Sequence, residues 1–313
     1  MESDVVEYRL LSFAANGAPR AGLAVGQRVF AVADLTGVAS DDTVFGILRD
    51  WNTAEPRLAQ AASTVPMDGG LALDDTTLLA PLQQPVSVFC AGANYTDHVK
   101  EMAAVFGLAP DPDMHEAGLK PWHFIRPWGS MAEPGAAVPI PAGARKLDWE
   151  VELVAVIGRA ARNVGVAEAL DHVAGYTIAD DVSARDIFMR PPLDVASPFY
   201  WDWLGQKCNE RTCPIGPWIV PARAIRDPQR LKLGLSLNGA SKQDSNTSNM
   251  IFSLAEQIAH LSTRLTLHPG DMVLTGTPAG VGMGRGEFLK AGDRIEAWVE
   301  GIGTLAHTIE AAP

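Results

Sequence analysis

The sequence predicts an α+β protein that is mainly β, and three observations support this class. Short apolar segments with strand-like patterns outnumber segments with helical periodicity. No regular alternation of strand and helix occurs along the chain, which disfavours a doubly wound parallel sheet. Glycine and proline supply 29 and 22 of the 313 residues, as expected for many short strands joined by turns.

A small N-terminal α/β domain is predicted for residues 1–80. Within it, residues 6–35 contain short segments typical of antiparallel strands, and Asn16-Gly17 is a strong signal for a hairpin turn. Two short helices are predicted next, near Thr43–Trp51 and Ala54–Ala62.

The second predicted domain spans residues 81–313 and begins in a stretch, Leu79–Pro85, whose two prolines disfavour regular structure. One helix is predicted from apolar residues at helical spacing between Ile251 and Leu265, and Pro269-Gly270 ends it. The predicted strands of this domain are Val86–Ala91, Asp148–Ile157, Val173–Ala179, Met272–Thr275 and Arg294–Glu300.

Charge and composition exclude several kinds of partner. The chain has 25 Lys plus Arg against 37 Asp plus Glu, a net charge of −12, so neither nucleic acid nor an anionic membrane surface is expected to bind. The longest purely apolar runs are far shorter than the roughly 18 residues of a membrane span. The N-terminus is acidic where a signal peptide would be basic, and Cys90, Cys208 and Cys213 form no close pair. We therefore expect a cytoplasmic protein with buried free thiols.

Three carboxylates on one face of a predicted strand form the first candidate site. In Asp148–Ile157 the side chains of Asp148, Glu150 and Glu152 share one face, roughly 7 Å apart, and apolar residues share the other. Such crowding near an apolar interior is unfavourable unless a cation lies between the carboxylates, and a hard divalent cation suits oxygen ligands. An edge strand with one solvated acidic face explains the same alternation, so both interpretations stay open.

Asp180 and Asp181 add a second acidic point, because they end the next predicted strand and precede a helix predicted to start at Ser183. Carboxylates at a strand end can belong to a site, but acids in the first turn of a helix also stabilise that helix.

A predicted helix after Tyr95 carries His98 and Glu101 on the same side, three residues apart. A carboxylate beside an imidazole orients it and raises its basicity, as a general base requires, although a surface ion pair has the same spacing. The segment that continues to Lys120 is predicted to form a mobile flap.

Two further features carry weaker signals. Lys207 has the local context of a solvated surface lysine. The segment Gly276–Gly284 lacks the Lys-Ser/Thr of a P-loop and no helix pattern follows it, so its glycines are expected to let the backbone pass close to a pocket.

The residues of these segments and their order along the chain resemble those of the fumarylacetoacetate hydrolase family over roughly residues 86–310. The blocks that carry the resemblance are Gly92…Asn94-Tyr95…His98…Glu101, Asp148–Leu153, Gly175-Tyr176-Thr177 with Asp181–Asp186, Asn246–Phe252 and Thr275–Gly282. The resemblance implies a mixed β-sandwich roll, usually a homodimer, in which Glu150, Glu152 and Asp181 hold one Mg²⁺ or Mn²⁺.

The resemblance also implies roles for further residues. His98 and Glu101 match a dyad on a lid helix that closes over the substrate, and Lys207 matches a lysine that neutralises developing negative charge. The expected substrate contacts are Arg126, Gln243 and Thr277. Departures near the pocket leave the substrate open: they are Ala93, Asp180, Arg126, Phe188 and an apparent insertion at Arg190–Trp203.

The implied function is a metal-dependent hydrolase that cleaves a carbon–carbon bond in a 2,4-dioxo acid of the acylpyruvate or fumarylpyruvate type. Its products would be pyruvate and a carboxylic acid, in the catabolism of aromatic compounds. An isomerase or decarboxylase of a 2-oxo or 2-hydroxydienoic diacid would use the same metal-enolate chemistry. A noncatalytic protein that binds small molecules is the alternative from another class, and the complete set of site residues argues against it.

Overall fold

The structure is a computed structural model, and it describes residues 8–66, 68–84, 87–109 and 111–312. Strands predominate, which confirms the mainly-β α+β class. The strands are β1 (Arg9–Ala15), β2 (Ala18–Val25), β3 (Arg28–Ala31), β4 (Leu71–Ala72), β5 (Leu78–Leu79), β6 (Val88–Ala91), β7 (His123–Arg126), β8 (Met131–Ala132), β9 (Ala137–Pro139), β10 (Leu147–Asp148), β11 (Val151–Ile157), β12 (Val173–Asp180), β13 (Ser183–Ala184), β14 (Cys213–Pro221), β15 (Lys232–Leu237), β16 (Ala240–Asn246), β17 (Met272–Leu274), β18 (Arg294–Val299) and β19 (Gly303–Glu310).

The helices are fewer and mostly short. They are α1 (Val32–Thr36), α2 (Val44–Leu48), α3 (Trp51–Thr64), α4 (Thr96–Phe106), α5 (Arg185–Phe188), α6 (Trp203–Lys207), α7 (Leu254–Arg264) and α8 (Gly282–Arg285). None of the helices in the described part of the chain combines the length and apolar character needed to cross a bilayer. Parts of three predicted segments lie outside the described residues, namely positions 6 and 7, Pro85 and Val86, and Pro110 of the flap.

Two sheets build the molecule. The larger has 12 strands in the main order β4-β3-β2-β1-β14-β12-β11-β17-β6-β7, with β5 paired to β1 and β8 to β14. The smaller has five strands in the order β16-β15-β18-β19-β9, and β10 pairs separately with β13. One apolar core joins the sheets, because Leu153 and Ile178 of the larger sheet pack in the same cluster as Leu235 and Ala297 of the smaller.

Strand β11 lies in the interior of the larger sheet and is buried on both faces. Val151, Leu153 and Ile157 enter the core between the sheets, whereas Val154 and Val156 enter a second core on the opposite face. The predicted alternation is therefore confirmed. The alternative of a solvated edge strand is wrong, because β12 and β17 pair with β11 on its two sides.

The predicted strand Asp148–Ile157 is interrupted after Asp148. Its first part, β10, leaves the larger sheet and pairs with β13 through Asp148 and Ser183. Backbone N–H groups of Gly282 and Met283 donate to the Asp148 carboxylate, at 2.5 and 3.0 Å, and hold this break in place. The helix predicted to start at Ser183 consequently starts two residues later. The short helix α8 begins at Gly282, inside the glycine-rich segment, where no helix was predicted.

The N-terminal strands extend the larger sheet. The predicted turn is confirmed, because Asn16 and Gly17 have φ angles of 51° and 81° between β1 and β2. Strand β1 then pairs with β14, where Leu10 lies opposite Ile219. The division into domains at residue 80 stays a prediction. Strands from both sides of residue 80 belong to the larger sheet.

The thiols differ in burial. Cys213 is buried, as predicted, and Cys90 is buried as well. The predicted burial of Cys208 is wrong, because this residue follows the last turn of α6 and is partly exposed.

Candidate active site

Three buried carboxylates meet where β11 and β12 lie side by side. Glu150 directly precedes β11, Glu152 is its second residue, and Asp181 follows the end of β12. The backbone N–H of Asp181 donates to the Glu150 carbonyl at 2.9 Å, which holds the two strand ends together. Glu150, Glu152 and Asp181 each offer an oxygen within 4.8 Å of the others, and each is at most 5% exposed.

Two cationic side chains compensate the charge of Glu150. The Lys207 ammonium donates to Glu150 Oε2 at 2.7 Å, and the Arg185 guanidinium donates to Glu150 Oε1. Burial alone would raise the pKa of Glu150, but Lys207 and Arg185 outweigh burial and lower it to about 2. Glu150 is therefore ionised and available as an oxygen ligand.

Glu152 lacks this compensation. Burial and the neighbouring charges of Asp181 and Glu150 raise its pKa well above the usual range, although Lys207 and the Gly276 N–H act in the opposite direction. Such crowding of hard oxygen donors at one buried point favours a divalent cation, which would ionise Glu152 and satisfy all three carboxylates. The donor set fits Mg²⁺ or Mn²⁺, both of which accept carboxylate oxygens.

Lys207 is buried rather than solvated. It is 4% exposed, and its ammonium donates to Asp181 Oδ2 at 2.5 Å and to the Asp181 carbonyl at 3.0 Å. Burial lowers the pKa of a lysine, but here Asp181 and Glu150 outweigh it and raise the pKa of Lys207, which stays protonated. The solvated interpretation of Lys207 is wrong because α6 turns its last residue into the site.

His98 and Glu101 lie together on α4, and His98 lines a cavity that the three carboxylates and Lys207 also line. His98 Nδ1 is 3.9 Å from Glu101 Oε2, and the Glu101 carboxylate accepts from the Gly280 N–H at 3.0 Å. Burial opposes ionisation of Glu101, but His98 and the Gly280 N–H outweigh it and lower the pKa of that carboxyl. Glu101 is therefore ionised and faces the imidazole.

Two of the expected substrate contacts lie behind the cavity wall. Arg126 is 1% exposed, and its guanidinium donates to Asp181, to the Lys207 and Val182 carbonyls and to Thr212. Its position differs from the expected direct contact, because these bonds occupy the guanidinium and make it a support for Asp181.

Gln243 is also buried behind the wall, at 1% exposed. Its side-chain oxygen accepts from the Val151 N–H, and its amide donates to Thr277 Oγ1 and the Pro278 carbonyl. Gln243 therefore orients Thr277, and Thr277 itself lines the cavity as expected.

Sequence reasoning missed the role of Arg185. Its guanidinium bridges Glu150 and Asp148, with Nε 2.9 Å from Asp148 Oδ2, and it also lines the cavity. Arg185 belongs to the block Asp181–Asp186 that carries the family resemblance, so a signal for it is present in the sequence.

The site opens into a cavity of about 600 Å³. The three carboxylates, Lys207, Arg185 and His98 line one end, and aromatic and other apolar side chains line most of the rest. A cavity of this size suits a small organic substrate, since such sites usually measure roughly 300–1,000 Å³. The mainly-β fold, the buried carboxylate triad and the His98–Glu101 dyad define a class of proteins in which a divalent cation and a small molecule can bind side by side.

Comparison with known proteins identifies the family. The family profile described as fumarylacetoacetate (FAA) hydrolase C-terminal matches residues 87–310. A human oxaloacetate tautomerase, described as mitochondrial, is 37% identical over 237 residues, which cover 75% of this chain and 70% of the relative. This chain belongs to the fumarylacetoacetate hydrolase family, which confirms the resemblance.

Solved structures confirm the family fold. A fumarylacetoacetate hydrolase from psychrophilic Exiguobacterium antarcticum has a TM-score of 0.75 at 30% identity, over 97% of this chain and 99% of that one. A maleylpyruvate hydrolase from Sphingobium sp. SYK-6, in complex with manganese(II) ion and pyruvate, has a TM-score of 0.74 at 25% identity. That match covers 97% of this chain and 100% of the other. The family therefore includes hydrolases as well as a tautomerase.

Proposed function

We propose that this chain is a metal-dependent hydrolase that cleaves the C3–C4 bond of a 2,4-dioxo acid and releases pyruvate and a carboxylic acid. The observation that carries the proposal is that His98, which has Glu101 beside it on α4, lines the same cavity as the carboxylate triad and Lys207. Water activation by a dyad is required for hydrolysis and is not required for moving a double bond. The activity would belong to the breakdown of aromatic compounds, and the enzyme would act as a homodimer.

Glu150, Glu152 and Asp181 would hold one divalent cation, because they place three oxygens around a single buried point. The cation would supply Lewis acidity beside the carboxylate and 2-oxo group of the substrate. Arg126 fixes Asp181 from behind, and Arg185 fixes Glu150. These two guanidiniums orient the ligand oxygens before the cation binds.

His98 would act as the general base. The ionised Glu101 stabilises the tautomer with a proton on Nδ1, which leaves Nε2 free to accept a proton from water. The Nδ1 to Oε2 distance of 3.9 Å is longer than a hydrogen bond, and catalytic contacts of this kind often tighten when substrate binds. The water oxygen would then add to the C4 carbonyl carbon.

Lys207 would stabilise the negative charge that develops on the substrate. Its raised pKa keeps the ammonium protonated, and its position on the cavity wall brings that charge beside the bound oxo acid. A fixed positive charge in a site shielded from water stabilises an oxyanion strongly. Thr277, held by Gln243, supplies a hydroxyl on the same wall.

Gly284→Ala is expected to lower kcat for hydrolysis by about 10–100-fold with little loss of stability. A Cβ at this position would lie 2.5 Å from Glu101 Cδ, so the carboxylate must move away from its place beside His98. The carboxylate is the flexible end of a side chain, so the fold can adapt.

Gly129→Ala is the matched control for Gly284→Ala, because a Cβ there meets no atom within 4 Å. Steady-state kinetics and thermal unfolding of both variants test the expectation. Wild-type kcat in Gly284→Ala would show that the position of Glu101 is unimportant.

Enolate isomerisation is the second candidate, and the relationship to the human oxaloacetate tautomerase favours it. A tautomerase, an isomerase of a hydroxydienoic diacid or an oxaloacetate decarboxylase would use the same triad and Lys207. None of these reactions consumes water.

A substrate panel separates the candidates. The enzyme is incubated with acetylpyruvate, the enol form of oxaloacetate and a 2-hydroxydienoic diacid, each with Mg²⁺ or Mn²⁺, and products are identified by mass. We expect pyruvate and acetate from acetylpyruvate, with ¹⁸O from labelled water in the acetate. Products of unchanged mass, or CO₂ release, with intact acetylpyruvate would replace the hydrolase proposal by the second candidate.

A further inference from the structure

We infer that the substrate carries a large, uncharged, aryl-bearing acyl group, and this inference rests on the proposed hydrolase function. Among the described residues, seven aromatic side chains line the cavity, and one of them is Phe106 of α4. The other six form a surface that we call the aromatic wall: Trp122, Phe124, Phe188, Tyr200, Trp201 and Trp203. Because one end of a 2,4-dioxo acid must reach the triad, its acyl group extends along this wall.

The aromatic wall begins at the reacting centre. Lys207 Nζ lies 5.4 Å from the centroid of the Phe124 ring, and the Phe124 ring stacks on that of Trp203 at 5.6 Å. Trp203 and Lys207 are four residues apart on α6, so they project from the same side of that helix. A group bonded to C4 of the substrate therefore meets aromatic surface directly.

The wall continues outward without a polar interruption between its rings. Phe188 lies 4.5 Å from Trp203 and 4.9 Å from Trp201, between ring centroids, and Trp201 lies 4.7 Å from Tyr200. Aromatic surfaces at these separations offer edges and faces to a further ring.

Trp122 completes the wall where β6 ends. A Cβ on Gly92 would overlap the Trp122 ring, so the absence of a side chain at Gly92 makes room for the indole. Trp122 then meets Trp203 edge to face, with 5.3 Å between the ring centroids. The position of Trp122 in the wall therefore depends on Gly92, since any other residue there would displace the indole ring.

The charges of the cavity argue against a diacid. Among the described residues that line it, the cationic or titratable basic side chains are His98, Arg185 and Lys207. Arg185 and Lys207 already bind Glu150, and His98 faces Glu101. A second carboxylate on the acyl group would lie against the aromatic wall without a cation of its own, which is unfavourable.

The chemistry balances for benzoylpyruvate. Water adds its oxygen to C4, and the C3–C4 bond breaks with its electron pair moving to C3. C3 then accepts the proton that His98 took from the water, and the benzoic acid formed at C4 loses its proton to solvent. The products are benzoate and pyruvate. No oxidant or reductant is needed.

The test compares kcat/KM of the wild-type enzyme for benzoylpyruvate, acetylpyruvate and fumarylpyruvate, each with Mg²⁺ or Mn²⁺. We expect benzoylpyruvate to exceed fumarylpyruvate by at least about tenfold, the lower limit for a hydrophobic group that fits its pocket. Equal or better turnover of fumarylpyruvate overturns the inference and leaves the hydrolase proposal intact.

Failure to hydrolyse any of the three compounds overturns the proposed function instead. The inference is then decided by calorimetric binding, in which benzoylpyruvate must bind at least about tenfold more tightly than fumarylpyruvate. Equal or weaker binding of benzoylpyruvate overturns it.

Two variants assign the selectivity to the wall. Trp203→Ala is expected to lower the ratio of kcat/KM for benzoylpyruvate over acetylpyruvate at least tenfold, because it removes the ring next to Phe124. Phe188→Arg is expected to raise the ratio of fumarylpyruvate over benzoylpyruvate, because it places a cation in the wall. Phe188→Arg decides the matter if Trp203→Ala does not fold.

Leu204→Ala is the matched control, since Leu204 neighbours Trp203, is 71% exposed and does not line the cavity. It should leave the ratios of kcat/KM among the three substrates unchanged.

A second copy of the chain is the alternative occupant of the exposed rim of the wall, where Trp122 is 46% and Trp201 42% exposed. Trp203→Ala that changes the mass in analytical ultracentrifugation but not the selectivity would support that contact and overturn the inference.

Discussion

His98→Ala is expected to lower kcat for hydrolysis of an acylpyruvate by about 10²–10⁴-fold, the usual contribution of a positioned general base. The imidazole borders the cavity, and the ionised Glu101 beside it favours the tautomer that can accept a proton from water. Alanine removes the base but none of the three triad carboxylates. Stopped assays of pyruvate release measure the change.

Oxalate binding controls the His98 experiment, because oxalate mimics the enolate of pyruvate and needs no general base. The variant should bind oxalate and metal as the wild type does. His115→Ala is the matched histidine control, since His115 is half exposed, pairs with Glu256 and lies outside the cavity. Unchanged hydrolysis in His98→Ala would reject the His98–Glu101 dyad as the general base.

Glu150→Gln is expected to weaken Mn²⁺ binding by more than about 100-fold and to abolish turnover at low metal concentration. Replacement of residues that merely support a metal ligand typically costs about 10–100-fold in affinity, so loss of a ligand charge should cost more. Glutamine keeps the size of the side chain but removes the negative charge that Lys207 and Arg185 now balance. Isothermal titration with Mn²⁺ measures the affinity.

Glu287→Gln is the control for the metal titration, because Glu287 is a partly exposed partner of Lys242. A chelator should abolish wild-type turnover, and added Mg²⁺ or Mn²⁺ should restore it. Full activity in excess chelator, or the same Mn²⁺ titration in Glu150→Gln and wild type, would remove the metal role from the triad.

The strand pattern predicted which side chains share the face of the carboxylates, because alternation of side chains is a local property of a strand. Alternation along β11 places Glu152 on one face and Val151 and Leu153 on the other, and the structure has the same arrangement. The pattern alone did not separate a metal site from a solvated face, since that depends on which strands pair on either side. The family resemblance favours the metal site over the solvated face, because it implies that Glu150, Glu152 and Asp181 hold one cation together.

Lys207 and Arg126 show where local sequence reasoning ends. Lys207 meets Glu150 across 57 positions of sequence, and Arg126 meets Asp181 across 55. Nothing in the residues adjacent to Lys207 indicates that α6 faces inward. The burial of Arg126 against Asp181 was not predictable for the same reason, because burial depends on long-range packing, and its contact with substrate stays a prediction.

The clustering of the residues of the aromatic wall could not be predicted from single segments of the sequence either. Its residues come from the stretch around β7 and from the apparent insertion Arg190–Trp203 with its flanking helices. The insertion is recognisable from the sequence, but its position over the cavity depends on the stacking of Trp203 on Phe124, which is distant in sequence.

The pairing of β1 with β14 links the N-terminal strands to the stability of the part of the chain that holds the carboxylate triad. Leu10 and Leu23 share an apolar core with Val154 of β11 and Ile215 of β14, so the layer behind the triad depends on N-terminal side chains. A fragment without them would expose an unpaired edge along β14, and exposed edges of this kind promote aggregation. We therefore expect the two parts to unfold together, and we expect substitutions far from the cavity, in β1 or β2, to lower activity through loss of folded protein.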